Sequence, residues 1–340
     1  MFSKPTTFVI GAGASCEFGL PDGPALVTKI AAALDLRYDI GERRYILGDP
    51  QIAETFRNNS DDNAWQQAGW RIRDGLPDFG DSIDSYLDNH RDDAEMQRVG
   101  RVAIVKRILD AEKASKLAID RQRSPNPGLK GAELADTWIS ALFRSLQRNC
   151  DKKSVGNFFN NCNMIVFNYD RCIEQYFENA IHQSYHIPLD DAGRIVAAAP
   201  IIHAYGTVGA LPGHSNNRHE SVSFGNTRVD LLEVSNRIRT FTDQMSDKAT
   251  ANAIEKYMHD CEVLVFLGFA FHPQNLDLLQ VHTRRHNPLV VGTAYGVSQY
   301  NRLRYAKDLA TRYSPGGDEP ILADLKCGQF MREYSGAFDR

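Results

Sequence analysis

No run among the 340 residues approaches the ~20 consecutive apolar positions that a membrane-spanning helix needs. The opening "MFSKPTTFVIGAG" holds one lysine and a short apolar run that leads straight into glycines, which predicts a first core strand and not a secretion signal. A cationic excess is missing as well. Lys and Arg number 39 against 43 Asp and Glu, a net charge of -4, so nothing marks a nucleic-acid footprint. The small basic spot Arg284-Arg285, between His282 and His286, reads as solvated surface. The six cysteines (Cys16, Cys150, Cys162, Cys172, Cys261, Cys327) form no Cys-x-x-Cys, the paired thiolates that close a tetrahedral zinc ribbon. No metal is expected, and reduced thiols in a cytoplasm are the simpler reading. Internal repeats and low-complexity tracts are absent too.

What is present is a series of short, almost wholly apolar runs bounded by turn residues, at 7–10, 164–167, 201–205, 263–267 and 289–292. Parallel strands buried on both faces have this character. After the first run, Leu26, Val27, Ile30 and Leu34 fall on one helical face, with Pro24 suited to the first turn. The alternation predicts an α/β fold, a Rossmann-like doubly wound parallel sheet. From 38 to 151 the rhythm breaks into polar, charge-rich sequence with helical stripes. Val99, Val102, Val105, Ile108 and Leu109 form one stripe, and Leu134, Trp138, Leu142 and Leu146 another. The expected organisation is a Rossmann-like domain of residues 1–37 and 152–340 with 38–151 as an inserted helical module. The stretch "LPGHSNNRHESVSFGN" reads as a flexible polar loop, although its His214, His219 and Glu220 could be drawn as metal ligands.

The first apolar run ends in Gly11-Ala12-Gly13-Ala14-Ser15. Strand, Gly-x-Gly, helix is the geometry that turns backbone N–H groups toward a pyrophosphate. Gly11 permits the tight turn, and Gly13 lets a ligand approach because no Cβ intrudes. A tight turn with no ligand remains the competing reading. The dehydrogenase fingerprint also wants an acidic ribose clamp ~20 residues later, at the end of a second strand. Here "KIAAALDLRYD" looks helical, so Asp35 is a poor clamp and hydride transfer is disfavoured.

Taken in order, "GAGAS…FGLPDGPAL", "IVFNYDRCIEQYF", "IIHAYGTVG" and "LVFLGFAFHPQNLDLL" resemble the landmarks of sirtuin-like proteins, most of all the bacterial sirtuin-like enzymes that hydrolyse NAD in antiphage defence. "SIDSYLD" at 82–88 looks like a segment of the same group, and the resemblance spans roughly residues 8 to 279. It implies that Gly11, Ala12, Gly13, Ala14 and Ser15 hold the pyrophosphate, and that Gly206, Gly268 and Phe269 contribute to the cofactor pocket, the last two on the adenosine half. It also implies that Asn168 positions the nicotinamide ribose or the attacking water, with Asp170 in support. By the residues alone, helix capping is the competing reading of Asn168, and a strand-exit turn that of Gly268.

One motif departs from the family. Where the catalytic histidine usually precedes the glycine stands Tyr205, before Gly206, and the histidine is His203. Strand alternation would put 203 and 205 on one face. His203 is the better-suited base near neutral pH, and a core histidine is the alternative. The resemblance implies NAD as substrate and cleavage of its nicotinamide–ribose bond. It further implies gating by assembly, as a homo-oligomer or with a hexameric HerA-type ATPase or another phage-sensing protein, with no membrane and no nucleic-acid partner. A protein deacylase of this family would carry paired cysteines for zinc, which this chain lacks. A non-enzymatic NAD- or ADP-ribose-binding assembly subunit is the other alternative.

Overall fold

Five consecutive buried residues, TTFVI, form the strand Thr6–Ile10, β1, at the centre of the main sheet. The computed structural model describes residues 2–337 apart from 40, 59–61, 120–127, 149, 216–220, 242, 244–246 and 282. A small antiparallel hairpin follows, Arg37–Asp39 (β2) with Arg44–Leu47 (β3). The remaining strands are Cys162–Val166 (β4), Ile201–His203 (β5), Val263–Leu267 (β6), Leu289–Thr293 (β7) and Ile321–Ala323 (β8). The main sheet runs β5-β4-β1-β6-β7-β8 with every pairing parallel. This is the doubly wound order, and the strand order reverses between β1 and β6, the switch point at which such sheets bind ligands.

The expected strands are all present. The hairpin strands and the edge strand β8 are additions: each is only three or four residues long and exposed in part or whole, too short to register as a buried apolar run. Side chains along each strand alternate between two cores. Val9, Ile165, Leu264 and Phe266 enter one; Phe8, Ile10, Met164, Val166, Val265 and Leu267 enter the other.

Helix Gly23–Leu34 starts on Asp22, whose carboxylate accepts from the Ala25 N–H, with Pro24 in the first turn. It packs on the first face with Asp62–Phe79, Ile83–Asn89 and Ala94–Ala114. On the second face lie Trp138–Gln147, Cys172–Tyr185, Leu189–Ala197 and Cys327–Glu333. The two apolar stripes of 38–151 therefore go to opposite faces: Val99, Val102, Val105, Ile108 and Leu109 to the first, Leu134, Trp138, Leu142 and Leu146 to the second. At ~1.5–3 kcal/mol for each fully buried large apolar side chain, this segment is a major part of both cores.

Helix Ala94–Ala114 is also fastened to the exit of β4 by an ion pair. Glu112 and Arg171 are both fully buried and meet at 2.5 Å, and Glu112 Oε2 accepts the Gly225 N–H at 3.0 Å.

Candidate functional site

The turn after β1 is held against the exit of β6 by its own backbone. Gly11 donates to the Leu267 carbonyl at 2.9 Å, Gly13 to the Gly268 carbonyl at 3.0 Å, and Ala14 to the Gly11 carbonyl at 3.0 Å. A Cβ on Gly11 would lie 2.5 Å from the Gly268 oxygen, and one on Gly13 would lie 2.9 Å from it. Gly268 itself has φ +57, and a Cβ there would lie 2.0 Å from the Ala14 nitrogen. The three glycines are thus required by the approach of two chain segments, whether or not a ligand binds. The helix that opens in the turn, Ala12–Ser15, is a single turn; the long helix begins only at Gly23. Asp35 follows that helix and pairs with Arg37 and Arg73.

Asn168 and Asp170, just past β4, reach this turn. Asn168 Nδ2 donates to the Gly11 carbonyl at 3.1 Å and to Ser15 Oγ at 3.0 Å. The carbonyl can only accept, so the orientation of the amide is fixed. Ser15 Oγ donates in turn to Asp170 Oδ2 at 2.9 Å, and Asp170 Oδ1 accepts the Cys172 N–H at 3.1 Å. Burial raises the Asp170 pKa, and the hydrogen bonds from Cys172 and Ser15 oppose that rise. Asn168 is the helix cap in neither sense, since the cap of Cys172–Tyr185 falls on Arg171 with no side-chain bond. Its Oδ1 is buried and has no hydrogen-bond partner among the described residues.

Phe269 is buried, and its ring packs on Phe167, Phe266 and Phe271. Gly206 has φ +73, and a Cβ there would strike the Arg237 carbonyl at 2.1 Å. Around these the helix Ile83–Asn89, opened by a Ser82/Ser85 capping box, brings Asp84 to the Tyr169 hydroxyl and Asp88 to Gln274 at 3.5 Å. Burial pushes Asp84 up to about 6, against the hydrogen bond from Tyr169. The segment singled out at 82–88 therefore abuts the site.

His203 and Tyr205 do not share a face. Strand β5 ends at His203, and the chain turns there, with Gly206 N–H donating to the His203 carbonyl at 3.2 Å. Ala204 and Tyr205 consequently pack in the core of Val9 and Ile165. Tyr205 donates to Asn275 Oδ1 at 2.5 Å, and burial, with Asp84 and Asp88 nearby, drives its pKa far above the ordinary value.

His203 sits at the other side of the sheet edge. Its Nδ1 lies 2.9 Å from the Asn168 carbonyl and its Nε2 2.8 Å from Glu174 Oε1. Two acceptors on one ring favour the imidazolium, in which both nitrogens donate. Burial lowers the His203 pKa, but Glu174 more than offsets it and the value is raised. Burial likewise works against ionisation of Glu174, and His203 more than offsets that, leaving the carboxyl below its ordinary range.

Glu174 was not singled out by its sequence, nor was Glu178, one helical turn later. That four-residue spacing, which places both carboxylates on one helix face, was the available signal. Glu178 pairs with His214 at 3.0 Å, and both side chains are buried. The His214 side chain is therefore buried and paired, where the sequence predicts a polar loop; His219 and Glu220 lie outside the described residues. Arg284 also departs from its expected solvation. Its guanidinium lies 4.7 Å over the Tyr313 ring, with both terminal nitrogens buried. Arg285 and His286 are exposed, and His282 lies outside the described residues. Among the described residues no three His, Cys, Asp or Glu side chains are grouped to hold a metal ion, and no helix is long and apolar enough to cross a membrane.

No protein-family model matches the chain, and a comparison with curated proteins gave no match. Two solved structures are similar over most of their length. One is a Sir2 homologue in complex with NAD, 12% identical with a TM-score of 0.40, covering 99% of this chain and 92% of that one. The other is a triple mutant of Sir2 homologues in complex with 2′-O-acetyl ADP ribose, 10% identical with a TM-score of 0.37, covering 98% and 93%. Both neighbours are Sir2 homologues. Likeness at this level assigns neither a family nor a ligand to this chain.

Proposed function

We propose that the protein binds NAD⁺ at the carboxyl edge of the sheet and hydrolyses its nicotinamide–ribose bond to give nicotinamide and ADP-ribose. The observation that carries this reading is the buried, unpartnered Oδ1 of Asn168 beside the switch point. An amide whose N–H groups are committed to Gly11 and Ser15 presents one acceptor, and a ribose hydroxyl or a water is the donor that suits it. The ordered motifs that resemble sirtuin-like NAD hydrolases point to the same substrate.

In the reaction the bond from C1′ to the pyridinium nitrogen breaks, and its electron pair neutralises the leaving nicotinamide. Water oxygen bonds to C1′, and the proton it sheds passes to a base. Asn168 orients the ribose or the water, which is positioning chemistry. Asp170 and Ser15 hold Asn168 in place. His203 receives the proton only after the imidazolium has given one up, by passing its Nε2 proton to Glu174. Tyr205 serves as a hydrogen-bond donor. By the same resemblance the activity is that of a gated NAD-depleting effector in cytoplasmic antiphage defence, active as a homo-oligomer or with a HerA-type ATPase.

A fluorescent NAD analogue, assayed with the chain alone and with the product of a neighbouring ATPase gene, tests the proposal. Nicotinamide release in either sample is expected; none in both rules out the hydrolase.

A second reading, a catalytically weak NAD- or ADP-ribose-binding assembly subunit, is favoured by one observation: His203 has an acceptor on each nitrogen, so no free base faces the turn. Calorimetric binding of ADP-ribose without turnover would select it. Removal of an acyl group from a lysine peptide would instead select a deacylase.

A further inference from the structure

Among the described residues, the large apolar side chain most open to solvent is Phe79, 82% exposed. It ends the helix Asp62–Phe79 and stands between Asp78 and Asp81, both exposed and neither with a partner among the described residues. The arginines of that helix are already taken, Arg73 by Asp74 and Asp35 and Arg71 by Asp93. No basic residue stands in its last turn, and the carbonyl end of a helix is itself negative. The phenyl ring is thus an apolar knob in a negative setting that a cationic surface would relieve.

A second exposed apolar group has the opposite surroundings. Tyr295, at the exit of β7, is 63% exposed, and Tyr300 and Leu303, early in the helix Gln299–Tyr313, are 78% and 57% exposed. Arg304 and Lys307 continue the outward stripe of that helix and are exposed too. The Lys326 ammonium lies 5.4 Å over the Tyr295 ring. Asp324 ties the three segments together, accepting from the Gly296 N–H at 2.8 Å and from Arg302 at 2.7 Å. The acids of this face are engaged, Asp324 with Arg302 and Asp308 with Arg312. Arg304, Lys307 and Lys326 have no carboxylate partner among the described residues.

Exposed apolar residues scattered singly are ordinary surface. Here they are sorted by charge, one ring among anions and a three-residue face among cations, and aromatic and Arg side chains are enriched where proteins meet. We infer that the two surfaces fit each other. Phe79 of one copy of the chain seats on Tyr295, Tyr300 and Leu303 of another, with Asp78 and Asp81 against Arg304, Lys307 and Lys326. A contact between two different patches repeats from copy to copy, reciprocally in a two-fold pair or head to tail in a ring. It gives the homo-oligomer proposed above a surface, does not rest on NAD chemistry, and is read by association alone.

Sedimentation of the full chain over a concentration series reaching the sub-millimolar range is the test. Wild type is expected to self-associate, and Phe79→Ala to weaken the association ~10-fold or more. Asp78→Lys with Asp81→Lys, and Arg304→Glu with Lys307→Glu, should each give a monomer, because like charges then face each other. Mixed in equal amounts, these two variants should associate again, since each supplies the charge the other now needs. Every substituted side chain is exposed in the single chain, so the fold is expected to survive each change. The inference is overturned if wild type stays monomeric, if Phe79→Ala associates as wild type does, or if the charge-reversed variants do not associate on mixing.

Discussion

Asn168 is held by two hydrogen bonds and offers a third, which separates its structural role from its chemical one. Asn168→Ala leaves the Gly11 carbonyl without its side-chain partner, so stability should fall by ~1–3 kcal/mol in urea denaturation. Under the hydrolase reading, nicotinamide release should fall about 100-fold or more, since positioning is lost. His203 and Glu174 make a second, titratable prediction. The His203 value is raised in the folded chain, so its contribution is full below the ordinary 6.5 and is lost as pH rises through the raised value. Glu174 is lowered, so its contribution is full above the ordinary 4.5 and is lost as pH falls through the lowered value. The melting-temperature gap between wild type and Glu174→Gln should therefore be widest between about pH 4.5 and 6.5 and shrink on the alkaline side. Asp84 acts with the opposite sign. Its raised value makes the fold lose stability as pH climbs from 3.8 through about 6. Both proteins share that loss, so the comparison cancels it.

At the scale of elements, the contact between the turn and the exit of β6 is the tightest backbone approach in the site. Gly268→Ala must put an L side chain at φ +57 against the Ala14 nitrogen. The left-handed backbone alone costs ~1–2 kcal/mol, so a loss above ~2 kcal/mol is expected from the denaturation midpoint. Glu112→Ala should cost ~3–5 kcal/mol, whereas Glu112→Met with Arg171→Met should be far milder, because no charge is then left buried alone. Much of this level was legible in advance. Continuous apolar runs gave away β1, β4, β6 and β7, because parallel strands are covered on both faces. The stripe at Val99–Leu109 was visible for a related reason, but which side of the sheet it covers was not. The strands of the hairpin and β8 are three or four residues long and exposed in part or whole, too short to give a readable pattern. The pairs His203–Glu174 and His214–Glu178 span 29 and 36 residues, and only the completed fold brings them together. Gly11 was read as permitting a tight turn and Gly13 as admitting a ligand, and the group that comes close to both is the Gly268 backbone.

Across the whole molecule, residues 38–151 contribute side chains to both cores, so the segment is expected to unfold together with the sheet. All three tryptophans, Trp65, Trp70 and Trp138, lie within 38–151, so fluorescence reports on the insert while circular dichroism reports on the entire chain. The two should trace one coincident urea transition; a fluorescence midpoint displaced from the dichroism midpoint would make the insert an independent unit. Order of synthesis gives the central position of β1 a further meaning. Within the main sheet, β1 is synthesised before both of its neighbours, which begin only at Cys162 and Val263. Glu17, close behind the turn, must wait longer still, because its carboxylate accepts from Trp138 and from Gly328 near the end of the chain. The turn is thus written early in translation and set last. A nascent chain stopped before residue 263 keeps an apolar strand with an open edge, which is expected to make it aggregation-prone until β6 can pair with it.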